Sequence, residues 1–172
     1  MDTKLLDAVA FAARAHHGQL RKDRATPYVS HVFRVCLVVR DLFGCDDPRM
    51  LITALLHDTI EDTTTDFDEI EARYGPEIAG WVSYLTKDKR LPEQERERAY
   101  LDRLKEAPWQ VQVCKLADIF DNLMDMPSLP ADRRAHALKR AEQYFAELRH
   151  LVAPEAQNPI ALVAQLIEQM RH

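Results

Sequence analysis

Apolar residues recur at three- and four-residue spacing along almost the whole chain, which is the periodicity of an amphipathic helix. Examples are Leu5, Val9 and Ala12 near the start of the chain, and Val35 and Val39 further along it. No stretch shows the strict alternation of apolar and polar residues that indicates a half-buried strand. The pattern therefore predicts an all-α protein. The predicted helices cover residues 3–17, 30–43, 47–60, 67–74, 76–87, 93–106, 109–124, 131–151 and 159–171.

The length and composition are those of one globular domain. With 172 residues, of which 47% are hydrophobic, the chain can bury roughly 70% of the surface that its unfolded state exposes. It therefore needs neither disulfides nor a structural metal to fold, and a metal found in it would serve function. We expect one domain over residues 1–152. Residues 153–172 are expected to add a linker, with the composition APEAQNP at 153–159, and a C-terminal helix that packs on the same domain.

Two connections between the predicted helices are rich in charge. Residues 18–30, GQLRKDRATPYVS, form a basic connection that is long for a compact domain, and long ordered loops often carry function. Residues 86–98, TKDKRLPEQERER, are dense in charges of both signs around Pro92. We interpret this second segment as a solvated loop followed by a helix start.

Charge and cysteine usage limit the compartment and the partners. The chain has 23 Lys and Arg against 28 Asp and Glu, a net charge of −5, which argues against duplex nucleic acid or an anionic membrane as a partner. No apolar run reaches the length of a membrane span, and the N-terminus lacks the apolar core of a signal peptide. Three cysteines without CxxC spacing are interpreted as reduced core thiols. We expect a cytoplasmic protein.

A cluster of ionisable residues interrupts the apolar helix predicted at 47–60. Within the stretch LLHDTIEDT, His57 and Glu61 fall on one line of a helix, and Asp58 and Asp62 fall on the adjacent line. Three carboxylates on one face repel one another and raise one another's pKa values unless a cation compensates them. A divalent metal ion is the simplest compensator.

Two further residues are candidate ligands from other helices. His31 opens the helix after the basic loop, and Asp118 lies in the otherwise apolar stretch KLADIFDN, where a buried carboxylate needs a partner. Each also has an ordinary structural interpretation. His31 can be a hydrogen-bonded histidine at a helix start, and Asp118 can pair with Lys115.

The order H…HD…D resembles the metal-binding signature of HD-domain phosphohydrolases, and the fuller pattern is similar to the hydrolase domain of the RelA/SpoT family. The matching blocks are AHHGQLRKDRATPYVSH, HDTIEDT and KLADIFDN, and LTK at 85–87 and RAEQYF at 140–145 resemble the small stand-alone alarmone hydrolases of that family. The resemblance implies a single-domain HD-type helical bundle. It also implies an enzyme that uses Mn²⁺, one ion per chain, to remove the 3′-pyrophosphate of (p)ppGpp-type alarmones.

The resemblance assigns a role to eleven residues of this chain. Metal ligands are His31, His57, Asp58 and Asp118; the catalytic acidic pair is Glu61 and Asp62; contacts to the nucleotide come from Arg21, Lys22, Asn122, Arg140 and Tyr144.

The chain departs from the family pattern at three places. Val32 stands where proline usually follows the first histidine, Ile119 stands where a basic residue often follows the KLAD block, and residues 23–25 are Asp-Arg-Ala where Gly or Ser is usual. None of these changes removes a ligand, but the last two leave the identity of the nucleotide open. Because 172 residues leave no room for a synthetase domain, we expect a hydrolase without synthetase activity.

The implied ligand set suggests how the reaction proceeds. Two imidazoles and two carboxylates leave two positions open on a six-coordinate metal, and this oxygen-rich set suits Mn²⁺ better than a closed tetrahedral zinc site. We expect a metal-activated water to attack phosphorus while Glu61 and Asp62 position or deprotonate it. Because a net charge of −5 repels a polyanion, the cations Arg21, Lys22 and Arg24 are expected to provide a local positive field.

Other functions remain open at this point. The same fold can serve an enzyme for (p)ppApp, NADPH or another nucleotide, or a nucleotide-binding regulator without catalysis. A helical interaction scaffold would leave the carboxylate cluster without a cause. In each enzymatic case the partner is a small nucleotide, with neither duplex nucleic acid nor a membrane as a partner, and a homo-oligomer is compatible with the sequence.

Overall fold

The computed structural model describes residues 3–151 and 153–171, and helices account for most of them. Within these residues no strand is present, so the all-α prediction is confirmed. The helix at Val29–Leu37 continues directly into a π-helical turn at Val38–Leu42, and the helix at Trp109–Asp125 is followed by a 3₁₀ turn at Met126–Ser128. The helices are α1 (Thr3–Ala15), α2 (Val29–Leu37), α3 (Pro48–Leu56), α4 (Thr59–Asp62), α5 (Phe67–Tyr74), α6 (Pro76–Leu85), α7 (Glu93–Glu106), α8 (Trp109–Asp125), α9 (Ala131–Leu148) and α10 (Pro154–Met170).

The helix α8 lies at the centre of the bundle. It contacts α2, α3, α6, α7, α9 and α10, and it is buried on several faces rather than along one stripe, including the polar residues Gln112, Lys115, Asp118 and Asp121. A helix that is buried on all sides carries polar groups only where they have partners. The buried polar side chains of α8 therefore indicate a functional site on this helix.

The predicted helix at 47–60 is not continuous, and this prediction is wrong at its C-terminal end. The helix α3 ends at Leu56, and Asp58 has φ −102° and ψ −1° before the single turn of α4 begins at Thr59. Side chains bond the last carbonyl groups of α3, because His57 Nδ1 lies 2.8 Å from the oxygen of Ala54 and Thr59 Oγ1 donates to the oxygen of Leu56 at 2.7 Å. These local bonds compete with the backbone ladder and stabilise the break.

The segment 153–159 was predicted to be a linker, and this is also wrong. Helix α10 begins at Pro154, a favoured first helical position, and it contains Pro159 in its interior, where proline normally breaks a helix. Tertiary contacts compensate: Ala156 and Pro159 are buried, and Asn158 Nδ2 donates to the oxygen of Leu42 at 2.9 Å. Packing against the bundle thus overrides the local signal.

The basic connection before α2 is an ordered loop. An antiparallel β-bridge joins Leu20 and Pro27, and Asp23 accepts hydrogen bonds from the backbone of Ala25 and from both the backbone and the hydroxyl group of Thr26. Arg24 has φ 61°, in the left-handed region that favours glycine. The Asp23 side chain thus holds a turn in which the family pattern usually has Gly or Ser.

Two expectations from composition concern the membrane and the thiols. Along 3–151 and 153–171, the structure contains no helix that combines the length and the apolar character needed to span a bilayer. Cys36, Cys45 and Cys114 are buried and form no disulfide. They pack as core residues.

Candidate metal and substrate site

One cavity of about 620 Å³ opens between the basic loop, the α3–α4 break, α8 and α9. Of the residues that the sequence analysis placed at the site, all but Arg21 and Arg24 line this cavity. Its walls include both acidic and basic groups together with an apolar surface. The predicted residues that line it are Lys22, His31, His57, Asp58, Glu61, Asp62, Asp118, Asn122, Arg140 and Tyr144.

Imidazole and carboxylate groups converge on one point of the cavity floor. His31, His57 and Asp118 each offer one donor atom, and these atoms all lie within 4.8 Å of one another. Asp58 is adjacent, with Oδ2 at 3.0 Å from His57 Nε2 and 3.6 Å from His31 Nε2. His31 Nε2 lies 3.2 Å from Asp118 Oδ1. Two imidazole nitrogens among carboxylate oxygens form a site suited to a divalent metal ion.

The tautomer of His57 supports a metal at this point. Its Nδ1 faces the carbonyl oxygen of Ala54 at 2.8 Å, so Nδ1 carries a proton, and Nε2 is the nitrogen that can offer a lone pair to the cavity when the ring is neutral. Nε2 is buried and, although it lies 3.0 Å from Asp58 Oδ2, it forms no hydrogen bond of suitable geometry with any described residue. An unsatisfied buried nitrogen is costly, and a metal ion is the partner that accepts a lone pair.

The charges of the cluster depend on one another. Burial by itself lowers the pKa of His31, but the nearby carboxylates Asp118, Asp121 and Asp58 outweigh it and raise that pKa well above its usual value. Burial raises the pKa of Asp58, but the imidazoles of His57 and His31 hold it well below the usual range. Positive charge is therefore required here, and a divalent cation would replace protons on the imidazoles.

The carboxylate of Asp118 contacts both Lys115 and the histidine cluster. Its Oδ2 accepts a hydrogen bond from Lys115 Nζ at 2.6 Å, and its Oδ1 faces His31 Nε2. Lys115 is buried, and its ammonium group lies 5.3 Å from the ring centre of Tyr100 and 4.7 Å from that of Tyr144. One carboxylate thus compensates a buried lysine and contributes an oxygen to the cluster.

The two acidic residues of α4 have different surroundings. Glu61 Oε2 accepts a hydrogen bond from the backbone N–H of Lys87 at 2.9 Å, and burial together with the charge of Asp58 raises the pKa of Glu61 despite that bond. The side chain of Asp62 is 33% exposed, and its Oδ1 accepts a hydrogen bond from Lys89 Nζ at 2.5 Å. Glu61 is therefore the better placed of the two to exchange a proton inside the cavity.

Comparison with known proteins agrees with this geometry. The model of the HD domain family matches residues 8–152, which include His31, His57, Asp58 and Asp118. The chain belongs to the HD domain family.

This HD domain is similar in sequence to curated pyrophosphohydrolases. The guanosine-3′,5′-bis(diphosphate) 3′-pyrophosphohydrolase of Drosophila melanogaster is 35% identical over 151 residues, covering 87% of this chain and 83% of that protein. The human protein of the same name is 40% identical over 144 residues, covering 83% and 79%. The resemblance to stand-alone hydrolases is thereby confirmed.

Solved structures show the same fold. A structure described as a metazoan orthologue of SpoT that hydrolyses ppGpp matches with a TM-score of 0.88 and 31% identity, over 98% of this HD domain chain and 96% of that one. A second structure, from Listeria monocytogenes, matches with a TM-score of 0.68 and 23% identity, over 84% and 95%. The second match supports the fold alone.

Arg21 does not line the cavity of this HD domain, although the resemblance assigned it to the nucleotide. Its guanidinium group donates to Asp125 Oδ2 from Nε at 2.8 Å and from Nη2 at 2.5 Å. Lys22, the next residue, does line the cavity. The two residues of the RK pair therefore point to different environments.

Positive charge surrounds the mouth of the cavity. Lys22, Arg133, His136 and Arg140 line it, and within 3–151 and 153–171 neither Lys22 nor Arg133 forms a hydrogen bond or an ion pair. Burial, and then the charges of Arg21, Arg140 and Arg133, lower the pKa of Lys22. Lys22 and Arg133 therefore carry charges without an ion-pair partner, whereas Arg140 lies 3.7 Å from Glu93. The two unpaired cations make the mouth attractive to a polyanion.

Sequence reasoning missed Lys87, Tyr28 and Asp121. Lys87 Nζ donates to Glu97 Oε1 at 2.9 Å and to the hydroxyl oxygen of Tyr144 at 2.6 Å, whereas the sequence analysis interprets residues 86–98 as a solvated loop and helix start. The hydroxyl group of Tyr28 donates to Asp58 Oδ2 at 2.5 Å. The LTK triplet at 85–87 was a sequence signal for Lys87. The roles of Tyr28 and Asp121 depend on contacts that form only in the folded bundle.

Proposed function

We propose that this HD domain hydrolyses the 3′-pyrophosphate of guanosine 3′,5′-bis(pyrophosphate)-type alarmones with Mn²⁺. The oxygen of a water molecule bonds to the phosphorus attached to the ribose 3′-oxygen, and the bond between that phosphorus and the 3′-oxygen breaks. The 3′-oxygen takes up a proton to become a hydroxyl group, and the products are the 5′-nucleotide and pyrophosphate. The observation that carries the proposal is the meeting of His31, His57 and Asp118 within 4.8 Å on the floor of a nucleotide-sized cavity. The curated relatives named above bear this activity in their names.

The cluster residues would hold the ion. His31 and His57 would contribute Nε2, and Asp58 and Asp118 would contribute carboxylate oxygens. When bound there, a divalent ion supplies Lewis-acid polarisation of a phosphoryl oxygen and activation of a water molecule. Tyr28 fixes the carboxylate of Asp58 through its hydroxyl group, which keeps that ligand in place.

The residues of α4 would handle the proton. Glu61 has one oxygen bonded to the backbone of Lys87, and its other oxygen accepts no hydrogen bond from any described residue. Because its pKa is raised and one of its carboxylate oxygens has no hydrogen-bond donor, Glu61 is suited to accept a proton from the attacking water. Asp62 is held between Lys89, which bonds its carboxylate, and Gln19, which bonds its backbone oxygen at 2.7 Å. It would orient the water rather than deprotonate it.

The basic mouth would receive the second phosphate arm. An alarmone carries pyrophosphate groups on both the 3′ and the 5′ positions of the ribose, and only one of them can occupy the acidic floor. Lys22, Arg133 and Arg140 lie at the mouth of the same cavity and offer the cations that the other arm requires. Asn122 and Tyr144 also line this cavity.

Product analysis tests the proposed reaction directly. Purified protein is incubated with ppGpp and Mn²⁺, and pyrophosphate and orthophosphate are measured separately. We expect pyrophosphate release that disappears in a chelated sample and in Asp58→Ala. Equal release in all three samples, or none in any, contradicts the proposal. Parallel incubations with ppApp and NADPH test the nucleotide, because release of orthophosphate from NADPH without pyrophosphate from ppGpp would indicate a different hydrolase.

Arg133 offers a test of the cationic mouth. Replacing Arg133 with glutamine is expected to raise KM for ppGpp about fivefold with little change in kcat, because an exposed charge pair contributes up to about 1 kcal/mol. The matched control is Arg134→Gln, which removes the same charge from the next residue of α9, outside the cavity lining. Steady-state kinetics at low ionic strength measures both variants, and an equal rise in KM would show only a general charge effect.

A further inference from the structure

The carboxylate of Asp121 holds the metal-binding histidine of α2 from behind. Asp121 is 1% exposed, and its Oδ2 lies 2.6 Å from Nδ1 of His31. It lies three residues after Asp118 on α8, so both carboxylates face α2. His31 is therefore held between two carboxylates of one helix, with Nδ1 against Asp121 and Nε2 toward Asp118.

The contact to Asp121 determines which nitrogen of His31 is available. A carboxylate accepts a proton in a hydrogen bond and cannot donate one when ionised. Nδ1 of His31 must therefore carry a proton, which leaves Nε2 as the nitrogen with a lone pair when the imidazole is neutral. His57 obtains the same tautomer from the carbonyl oxygen of Ala54. The two histidines reach one arrangement by different means, one through the backbone and one through Asp121.

A network of charges fixes the position of Asp121. Its Oδ1 pairs with Arg34 Nε at 2.6 Å, and Arg34 Nη1 donates to Asp125 Oδ1 at 2.7 Å. Arg21 binds the other oxygen of Asp125 and lies 3.6 Å from Asp121. Two guanidinium groups and two carboxylates balance one another. The Asp121 carboxylate therefore has both oxygens engaged and cannot rotate away from His31 without breaking an ion pair.

We infer that Asp121 is a positioning residue that orients His31 for metal binding, and that Arg34, which pairs directly with Asp121, secures it in turn. The inference rests on the proposed metal centre, since it assigns a role to a residue that would not touch the ion. It also accounts for Arg21, whose guanidinium group belongs to this network instead of the nucleotide cavity. Partners of metal-ligating histidines commonly tune metal affinity in this way.

A matched pair of variants separates orientation of His31 from general support of the fold. Asp121→Asn keeps the shape of the side chain but has only one oxygen, so it cannot accept from both His31 and Arg34. Asp125→Asn removes the same charge from the same arginine network, one turn later on α8, without touching His31. Titration calorimetry with Mn²⁺ alone is expected to show about 10- to 100-fold weaker binding for Asp121→Asn. For Asp125→Asn, binding is expected to stay within about threefold of the wild type because no ligand loses its partner.

Several outcomes would overturn the inference. If Mn²⁺ binds Asp121→Asn as tightly as it binds the wild type, or if both variants lose the same affinity, Asp121 does not act through His31. If the wild type itself binds no Mn²⁺, the proposed metal centre fails and this inference fails with it. Because Mn²⁺ binding is measured without nucleotide, failure to hydrolyse ppGpp would leave the result interpretable.

A measurement on the wild type covers the case in which Asp121→Asn does not fold. Zn²⁺ serves as a diamagnetic probe, and long-range ¹H–¹⁵N correlation spectra report which ring nitrogen of each histidine is protonated. The His31 signals are assigned by their loss in His31→Gln. We expect His31 to be protonated at Nδ1 and unprotonated at Nε2 in the Zn²⁺-loaded protein. Protonation at Nε2 would overturn the inference.

Discussion

Replacing Asp118 with asparagine is expected to remove Mn²⁺ binding and, with it, pyrophosphate release from ppGpp. Oδ1 of Asp118 lies 3.2 Å from His31 Nε2, and a neutral amide brings no charge to compensate a divalent ion. Loss of the hydrogen-bond partner of a metal ligand lowers metal affinity or activity by roughly 10- to 100-fold. Because Asp118→Asn removes a proposed ligand itself, we expect Mn²⁺ affinity and kcat/KM to fall by more than this. Titration calorimetry and a pyrophosphate assay measure the two effects.

The same substitution is expected to weaken the fold. Lys115 is buried and pairs with Asp118 Oδ2 at 2.6 Å, and leaving one member of a buried pair uncompensated costs about 3–5 kcal/mol of unfolding free energy. The double variant Lys115→Met/Asp118→Asn removes the stranded charge. It is expected to recover most of the stability in denaturant unfolding but no Mn²⁺ binding. Recovery of Mn²⁺ binding in the double variant would mean that Asp118 only supports Lys115 and is not a ligand.

Replacing Glu61 with glutamine is expected to lower kcat by about 10²- to 10⁴-fold, the usual contribution of a general base, while Mn²⁺ content stays unchanged. Glutamine keeps an oxygen that can accept the hydrogen bond from the backbone N–H of Lys87, so α4 retains its contact with the segment that follows α6. What is lost is the ability to take a proton. Steady-state kinetics together with metal analysis of the purified variant checks both parts.

The pH profile gives a second check on Glu61. Because burial and the charge of Asp58 raise the pKa of Glu61, its protonation is expected to reduce kcat on the acidic side of the profile, and Glu61→Gln is expected to lack that decline. Glu71→Gln, on the exposed side of α5, is the matched control and should behave as the wild type. If Mn²⁺ content falls together with kcat, Glu61 acts as a ligand or as structural support instead of a base.

The helices were predictable from sequence where their limits are set by local chemistry. The limits of α5 and α7 agree with the predicted ranges 67–74 and 93–106. The side chain of Asp66 accepts a hydrogen bond from the backbone of Glu69 at the start of α5, and Gly75 with φ 97° ends that helix. Such capping signals lie within a few residues of the helix boundary and can therefore be recognised from the sequence alone.

Helix limits that depend on distant packing were not predictable. Pro159 argues locally against a helix, but α10 continues through it because Ala156 and Pro159 are buried and Asn158 reaches the oxygen of Leu42. Those contacts join parts of the chain more than a hundred residues apart. Hydrophobic periodicity contains no information about them.

The candidate site shows the same division. His57, Asp58, Glu61 and Asp62 are neighbours in sequence, so their shared position follows from the motif itself. Asp121 partners His31 across 90 residues, and in the sequence it is only another acidic residue of KLADIFDN. Finding it required knowledge of which helix packs behind the histidine, and that is a property of the folded bundle.

The break between α3 and α4 has a consequence for the strength of the proposed metal site. In an uninterrupted helix, successive side chains diverge by about 100° and cannot direct donor atoms to one point. At the break, Nε2 of His57 and Oδ2 of Asp58 lie 3.0 Å apart. Two consecutive residues can thus chelate one ion. Their side chains are already ordered by folding, so binding the ion costs little further conformational entropy. Because the helix is broken at this point, the two donor atoms are already in position before an ion binds. A substitution that restored a continuous helix here would separate them.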